Sequence, residues 1–347
     1  MVGTFKIITL AASLEEKTVD LEKDTFTDGG SIQVENARIK CWKRGGHGTQ
    51  TFLQVVENSC NPGFVALGQR LGKERLFKYI KDFGFGVKTG VDLNGESSGI
   101  LFNLDRVGPV ELATTSFGQG VSVTPIQQVT AVSAAINGGN LNTPYIVKSI
   151  NDPETNSVIL QNNPKFVRKV ITDETSEKVR FALESVVTNG TGRTAFIDGY
   201  RVGGKTGTAQ KVENGRYMVG NYITSFIGFM PANDPQVVVY VAVDNAKGVT
   251  QYGGTIAAPI VRTILLDAID ILKIEKPEGA CEKNYNYNDK KYIDIPNVVG
   301  MNVKDASKLL KDFKIEYTGS GEIVSYQSPN AGERILEGET VRLLLNG

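Results

Sequence analysis

Lys6 stands near the start of MVGTFKIITLAASLEE, whose apolar residues cover most of a helix's circumference: Phe5, Ile8 and Ala12 on one face, Ile7, Leu10, Ala11 and Leu14 on the next. The pattern predicts a buried helix. A lysine in its first turn opposes the helix dipole and loses hydration, so the amine becomes a candidate base if burial or a second cation lowers its pKa. The residue it would serve lies one turn earlier on the same face, at position 3, which is Gly3. Two further segments offer polar groups at short spacing: Ser59-Cys60-Asn61 in VENSCNPGF, and Lys205-Thr206-Gly207-Thr208 in GGKTGTAQ. Taken singly, each also fits a plain structural use, as a solvated lysine or as helix caps. GGKTGTAQ is not a phosphate loop, because its glycine spacing departs from GxxxxGK[ST] and its surroundings read as a strand.

Composition narrows the classes. A length of 347 residues suggests two domains, and 40% hydrophobic with 22% charged residues allows an ordinary core. Thirty-eight basic residues balance thirty-eight acidic ones, and no basic run is interleaved with aromatics, which argues against nucleic acid as a partner. Cys41, Cys60 and Cys281 are widely spaced, which argues against a disulfide framework or a CxxC metal site; a Cys41–Cys60 bridge is a minor alternative. His47 is the single histidine, so neither a histidine-rich metal centre nor a Ser-His-Asp triad is expected. Trp42 and His47, in CWKRGGHG, read as stabilisers of a loop rather than as chemistry. No run of about twenty apolar residues and no basic-then-apolar leader occurs, so no membrane span or export signal is expected within these residues.

The elements that must position these groups read as one large unit and one small one. Residues 18–49 are polar and Gly-rich; TFLQVVEN, PGFVALGQRLG and KERLFKYIKDFGFG then predict three helices stopped by Gly72 and Gly84. TPIQQVTAVSAAINGG and TDETSEKVRFALESVVTNG predict two more, the first with Thr124 before a first-turn Pro125 and with Gly138 at its end. YRVGGKTGTAQ, YITSFIGFMP and QVVVYVAVDN are β-branched or aromatic runs expected to pair antiparallel, and TIAAPIVRTILLDAIDIL closes the unit as a helix. This order predicts an α+β sandwich, an antiparallel sheet flanked by helices, over residues 1–275. Residues 276–291 read as a linker, and 292–347 as a small βαβββ module with a helical stripe of Val303, Ala306, Leu309, Leu310 and Phe313.

In this order the three polar motifs resemble the SxxK, SxN and KTG elements of penicillin-binding proteins. The likeness extends through IKCWKRGGHG, ENSCNPGFVALGQRLG, FGQGVSVTPIQ, GGKTGTAQ and SFIGFMPA, so that residues 4 to about 272 resemble the transpeptidase domain of class B penicillin-binding proteins. Residues 292–347, with IPNVVGMNVKDASKLLKD, are similar to a PASTA domain, a pairing found in sporulation-type and division-type relatives of Gram-positive bacteria.

The resemblance implies a penicillin-binding/β-lactamase-like fold and a serine acyltransferase that cross-links peptidoglycan. A serine attacks the D-Ala-D-Ala amide of one stem peptide, a second stem's amine resolves the acyl-enzyme, and β-lactams acylate the same serine. It further implies Lys6 as base, Ser59 and Asn61 as proton relay and substrate hold, and Lys205 and Thr206 as carboxylate binders. Gly207 joins them in the substrate strand, and the Thr208 backbone N–H is an oxyanion donor. No cofactor is implied. The implied setting is the extracytoplasmic face of the cell membrane. Upstream of the motif the family has a tail, one membrane helix and a pedestal domain, and its partners include a membrane-embedded glycosyltransferase and division or sporulation proteins. Phe117, Gly118 and Gln119 are expected in the cleft wall.

Where the family reads S-T-F-K this sequence reads Gly3-Thr4-Phe5-Lys6, so that Gly3 replaces the nucleophilic serine, and Met1-Val2 stand where the family has Pro-Gly. Thr4 lies roughly 200° around a helix from Lys6 and is not expected to substitute. The expectation is therefore a nearly complete transpeptidase site that forms no acyl-enzyme. The alternative is a non-catalytic wall protein that binds stem peptides reversibly. A soluble β-lactamase would share SxxK and KTG but leave the PASTA module without purpose.

Overall fold

The computed structural model describes residues 3–213, 216–277 and 291–346. The chain divides into two compact units, 1–283 and 284–347. Most of the linker expected at 276–291, residues 278–290, lies outside the described residues, as does Cys281.

The large unit opens with helix α1 (Lys6–Glu15), in which every residue from Lys6 to Leu14 is buried, as an all-round apolar pattern requires. Two antiparallel pairs follow, β1 (Thr25–Asp28) with β4 (Gly48–Thr51) and β2 (Ser31–Val34) with β3 (Ala37–Lys40). These strands occupy a stretch where polar, Gly-rich sequence gave no strand signal. Helices α2 (Phe52–Glu57), α3 (Asn61–Leu71) and α4 (Lys73–Asp82) stand where three helical pieces were expected. Next come α5 (Pro109–Ser116) and α6 (Pro125–Ile136), the latter started by a reciprocal Thr124–Gln127 capping box.

Two further antiparallel pairs, absent from the sequence reading, involve β5 (Asn140–Thr143) with β8 (Lys165–Lys169) and β6 (Ser149–Asn151) with β7 (Val158–Gln161). Helix α7 (Asp173–Thr188) leads to the main sheet: β9 (Gly203–Glu213), β10 (Arg216–Met230) and β11 (Val237–Asp244), ordered β11-β10-β9 and antiparallel throughout. Helix α8 (Gly253–Leu272) ends the unit.

The sheet separates two cores, and alternation along β10 assigns its side chains to them. Ile227 and Phe229 point into the larger core, built from α1 to α7. Phe226 and Met230 point into the smaller one against Ala257, Ala258, Val261 and Leu265 of α8. The result is a three-layer arrangement with helices on both faces.

The small unit contains β12 (Tyr292–Asp294), α9 (Val303–Leu309), β13 (Lys314–Ser320), β14 (Ile323–Ser328), β15 (Arg334–Leu336) and β16 (Thr340–Asn346). Strand β15, too short to read from sequence, pairs with β12, while β16 lies between β13, parallel to it, and β14. Its own core contains Val298, Ala306, Leu310, Phe313, Val324, Val341 and Leu343. Leu309 does not join that stripe: it is 49% exposed because the helix ends there and turns Leu310 inward.

Candidate active site

The first site segment begins with a glycine that is not helical. Gly3 has φ +100°, and its N–H donates to the Phe117 carbonyl at 3.3 Å. A Cβ built there would stand 2.6 Å from both the Thr206 carbonyl oxygen and Gly207 Cα. The sequence reading put residue 3 in the first helical turn. Because glycine reaches the left-handed region without penalty, the chain instead leaves α1 sideways and lies against β9. Thr4 is fully buried, and its hydroxyl has no hydrogen-bond partner among the described residues.

The second segment is a helix end. Helix α2 starts with a Thr51–Gln54 capping box and ends with Ser59 in the left-handed conformation at φ 51°. The Ser59 N–H donates to the Val56 carbonyl and the Cys60 N–H to that of Val55, the bonds of a Schellman motif with serine where glycine is usual. This conformation costs about 1–2 kcal/mol for a residue with a side chain, and it turns the Ser59 hydroxyl and carbonyl toward Lys6. Asn61 then opens α3, with Pro62 behind it.

The third segment is β9, an edge strand of the main sheet. Its glycines serve packing: a Cβ on Gly203 would meet the Phe229 ring at 2.3 Å, and one on Gly204 the Phe226 ring at 2.4 Å. Lys205 pairs with Ile227, whose side chain faces the larger core, so the lysine is aimed at α1.

These segments bring four of the expected groups together. Lys6 Nζ donates to the Ser59 carbonyl at 2.8 Å, to Ser59 Oγ at 3.0 Å and to Asn61 Oδ1 at 2.7 Å. Lys205 Nζ donates to Ser59 Oγ at 2.8 Å and reaches the Thr206 carbonyl and Oγ1, each at 3.3 Å. Neither lysine forms an ion pair among the described residues, and their exposures are only 2% and 0%. Burial pulls Lys6 from 10.5 down to about 7, against an opposing pull from the Cys60 and Cys41 sulfurs. Burial, and then the charge of Lys6, hold Lys205 well below its ordinary value. Such a pair can keep one amine neutral as a proton acceptor while the other carries positive charge.

Thr206 Oγ1 lies 2.9 Å from Thr191 Oγ1, and Thr208 Oγ1 accepts from the Gly253 N–H at 3.3 Å. Trp42 donates through Nε1 to the Asn58 carbonyl at 2.7 Å and meets the rings of His47 and Tyr252 edge-on. It thereby braces the residue preceding Ser59.

Residues 3–266 match the penicillin binding protein transpeptidase domain, and residues 293–347 match the PASTA domain. The chain belongs to the penicillin-binding protein transpeptidase family. It is 60% identical over 343 residues to stage V sporulation protein D of Bacillus subtilis, an alignment covering 99% of this chain and 53% of that protein. It is 35% identical to a peptidoglycan D,D-transpeptidase FtsI homolog of Mesostigma viride, over 78% of this chain and 49% of that protein. The chain thus spans about half the length of these relatives. Among solved structures, apo penicillin-binding protein 3 of Mycobacterium tuberculosis superposes with a TM-score of 0.73 at 29% identity, covering 82% of this chain and 66% of that one. Its ampicillin complex gives 0.72 at 29%, over 80% and 63%. No helix among the described residues is long and apolar enough to cross a membrane.

Within this penicillin-binding transpeptidase unit, sequence reasoning missed Asp28, Thr191 and Tyr252. Asp28, at the end of β1, and Thr191, after α7, support Cys60 and Thr206 from distant segments, and Tyr252 flanks Trp42. None stands in a motif whose spacing could have singled it out.

Proposed function

We propose that the large unit is a D,D-transpeptidase-type site for the D-Ala-D-Ala end of a peptidoglycan stem peptide and for β-lactams, and that Gly3 deprives it of the acyl-accepting side chain. The convergence of two buried lysine amines on Ser59 Oγ, beside Gly3 and an edge strand, carries this reading. An extended peptide can add to the β9 edge through backbone hydrogen bonds, with its terminal carboxylate near Lys205 and Thr206 and its scissile carbonyl toward the Thr208 N–H. Lys6 would accept the hydroxyl proton of a serine at position 3, and Ser59 would pass it to the leaving amine. With glycine there, binding stops at the reversible complex. The identity to stage V sporulation protein D supports a sporulation setting at the extracytoplasmic face of the membrane.

A fluorescent penicillin tests this. It should bind saturably in polarisation measurements, be displaced by a pentapeptide ending in D-Ala-D-Ala, and leave no covalent band on a denaturing gel. Gly3→Ser requires residue 3 to give up its left-handed conformation for a helical one, because a Cβ in the present geometry stands 2.6 Å from the β9 backbone. With folding checked by circular dichroism, the variant should introduce a band that Lys6→Ala removes. A stoichiometric covalent band on the unsubstituted chain would refute the assignment of position 3.

A further inference from the structure

Beside the lysine pair lies a second cluster that the proposed chemistry does not use. Asp28 ends β1, Cys41 follows β3, His47 precedes β4 and Cys60 sits between Ser59 and Asn61, yet their donor atoms all lie within 4.8 Å of one another. His47 Nδ1 is 2.9 Å from Asp28 Oδ2 and 3.4 Å from Cys41 Sγ, and Cys60 Sγ is 3.3 Å from the same carboxylate oxygen. The Asp28 side chain is fully buried, that of His47 is 5% exposed, and Cys60 is fully buried. Both cysteines are free thiols.

Hydrogen bonding alone leaves this convergence unexplained. Asp28 already accepts from the Gly30 N–H at 2.8 Å and the His47 N–H at 3.1 Å, and thiols are weak donors that add little. His47 Nε2 is buried without a partner among the described residues, so the ring's polar contacts all lie on the Nδ1 side, toward the cluster. The loop is shaped to reach it: Gly46, at φ 78°, lies so close to the Asp28 backbone that a Cβ would stand 2.2 Å from its carbonyl oxygen.

We propose that Asp28, Cys41, His47 and Cys60 form a tetrahedral site for a borderline-soft divalent cation of the zinc class, which ties the 28–47 loops to the Ser59-Cys60-Asn61 turn. Two sulfurs, one imidazole nitrogen and one carboxylate oxygen are a zinc-type donor set, and the sulfurs disfavour magnesium and calcium. Metal–sulfur bonds of about 2.3 Å and metal–nitrogen or metal–oxygen bonds of about 2.0–2.1 Å give tetrahedral edges of about 3.3–3.8 Å. The 2.9 Å His47–Asp28 contact must open by tenths of an ångström, and separations that reach up to 4.8 Å must close by up to about 1 Å. Both thiol protons leave on binding, and the metal takes their place. The widely spaced cysteines and single histidine argued against a metal centre only because spacing along the chain was the sole guide.

The test titrates the reduced, chelator-treated full chain with Co²⁺ without oxygen. Thiolate-to-cobalt charge-transfer and intense tetrahedral ligand-field bands should saturate at about one equivalent and vanish when Zn²⁺ is added. Cys41→Ser and His47→Gln should each weaken binding at least about tenfold, while Cys281→Ser should leave it unchanged. Zn²⁺ should also slow amide exchange at Ser59–Asn61, a readout independent of enzymatic activity. Absence of the thiolate band in the folded, reduced chain, or a band retained by folded Cys41→Ser and His47→Gln chains, would overturn the proposal.

Discussion

Lys205 Nζ lies 2.8 Å from Ser59 Oγ, a contact that joins β9 to the end of α2 across 146 residues of chain. Lys6 donates to the same oxygen from the opposite element at 3.0 Å, so two amines share one acceptor inside the protein. The charge of Lys6 is one of the causes that lower Lys205, after burial. Replacing Lys6 by Met should therefore raise the pKa of Lys205. Lysine-selective heteronuclear NMR should show that resonance titrating at higher pH, and an unchanged or lower value would mean that the amines do not interact.

A buried lysine also writes itself into stability. The folded pKa of Lys6, about 7, lies below the unfolded value near 10.5. Between these values the unfolded chain binds the extra proton, so stability rises with pH across this window; below about pH 7 both states are protonated and the burial penalty is fully felt. Relative to Lys6→Met, the unsubstituted chain should gain up to about 1.4 kcal/mol per pH unit from pH 7 to 10. Urea midpoints of the two proteins at pH 6, 8 and 10 check the sign.

Gly204 allows the Phe226 ring to press against the β9 backbone. Gly204→Ala places a methyl 2.4 Å from that ring and 2.7 Å from the Ile227 carbonyl oxygen. Overpacking of this kind costs about 1–3 kcal/mol. Thermal melting should show the loss, and penicillin binding should weaken with it because Lys205 is the next residue.

The two units carry separate cores. Ending the chain after Pro277 should leave the melting transition of the large unit in place, whereas residues 291–347 alone should fold with the marginal stability of a module of that size. Loss of cooperative melting in the shortened chain would show that the large unit depends on the small one.

What the sequence determined by itself is local. The all-apolar circumference of residues 5–14 established a buried helix around Lys6. Cap residues such as Thr124 with Pro125 marked helix starts, and β-branched runs marked the three strands of the main sheet. Motif order was enough to single out Lys6, Ser59, Asn61 and Lys205 before their distances were known. Tertiary structure decided what depends on contacts between distant segments. The strands of residues 25–51 and 140–169 lack strong alternation and exist because partners pair with them. The left-handed turn at Ser59 is read from backbone angles, not residue type. Gly3 looked like a missing side chain in a helix, but its φ of +100° follows from contact with Thr206 and Gly207. The cluster of Asp28, Cys41, His47 and Cys60 has no sequence signature because three separate segments carry it, the end of β1, the β3–β4 loop and the turn after α2, and only folding brings them within reach of one ion.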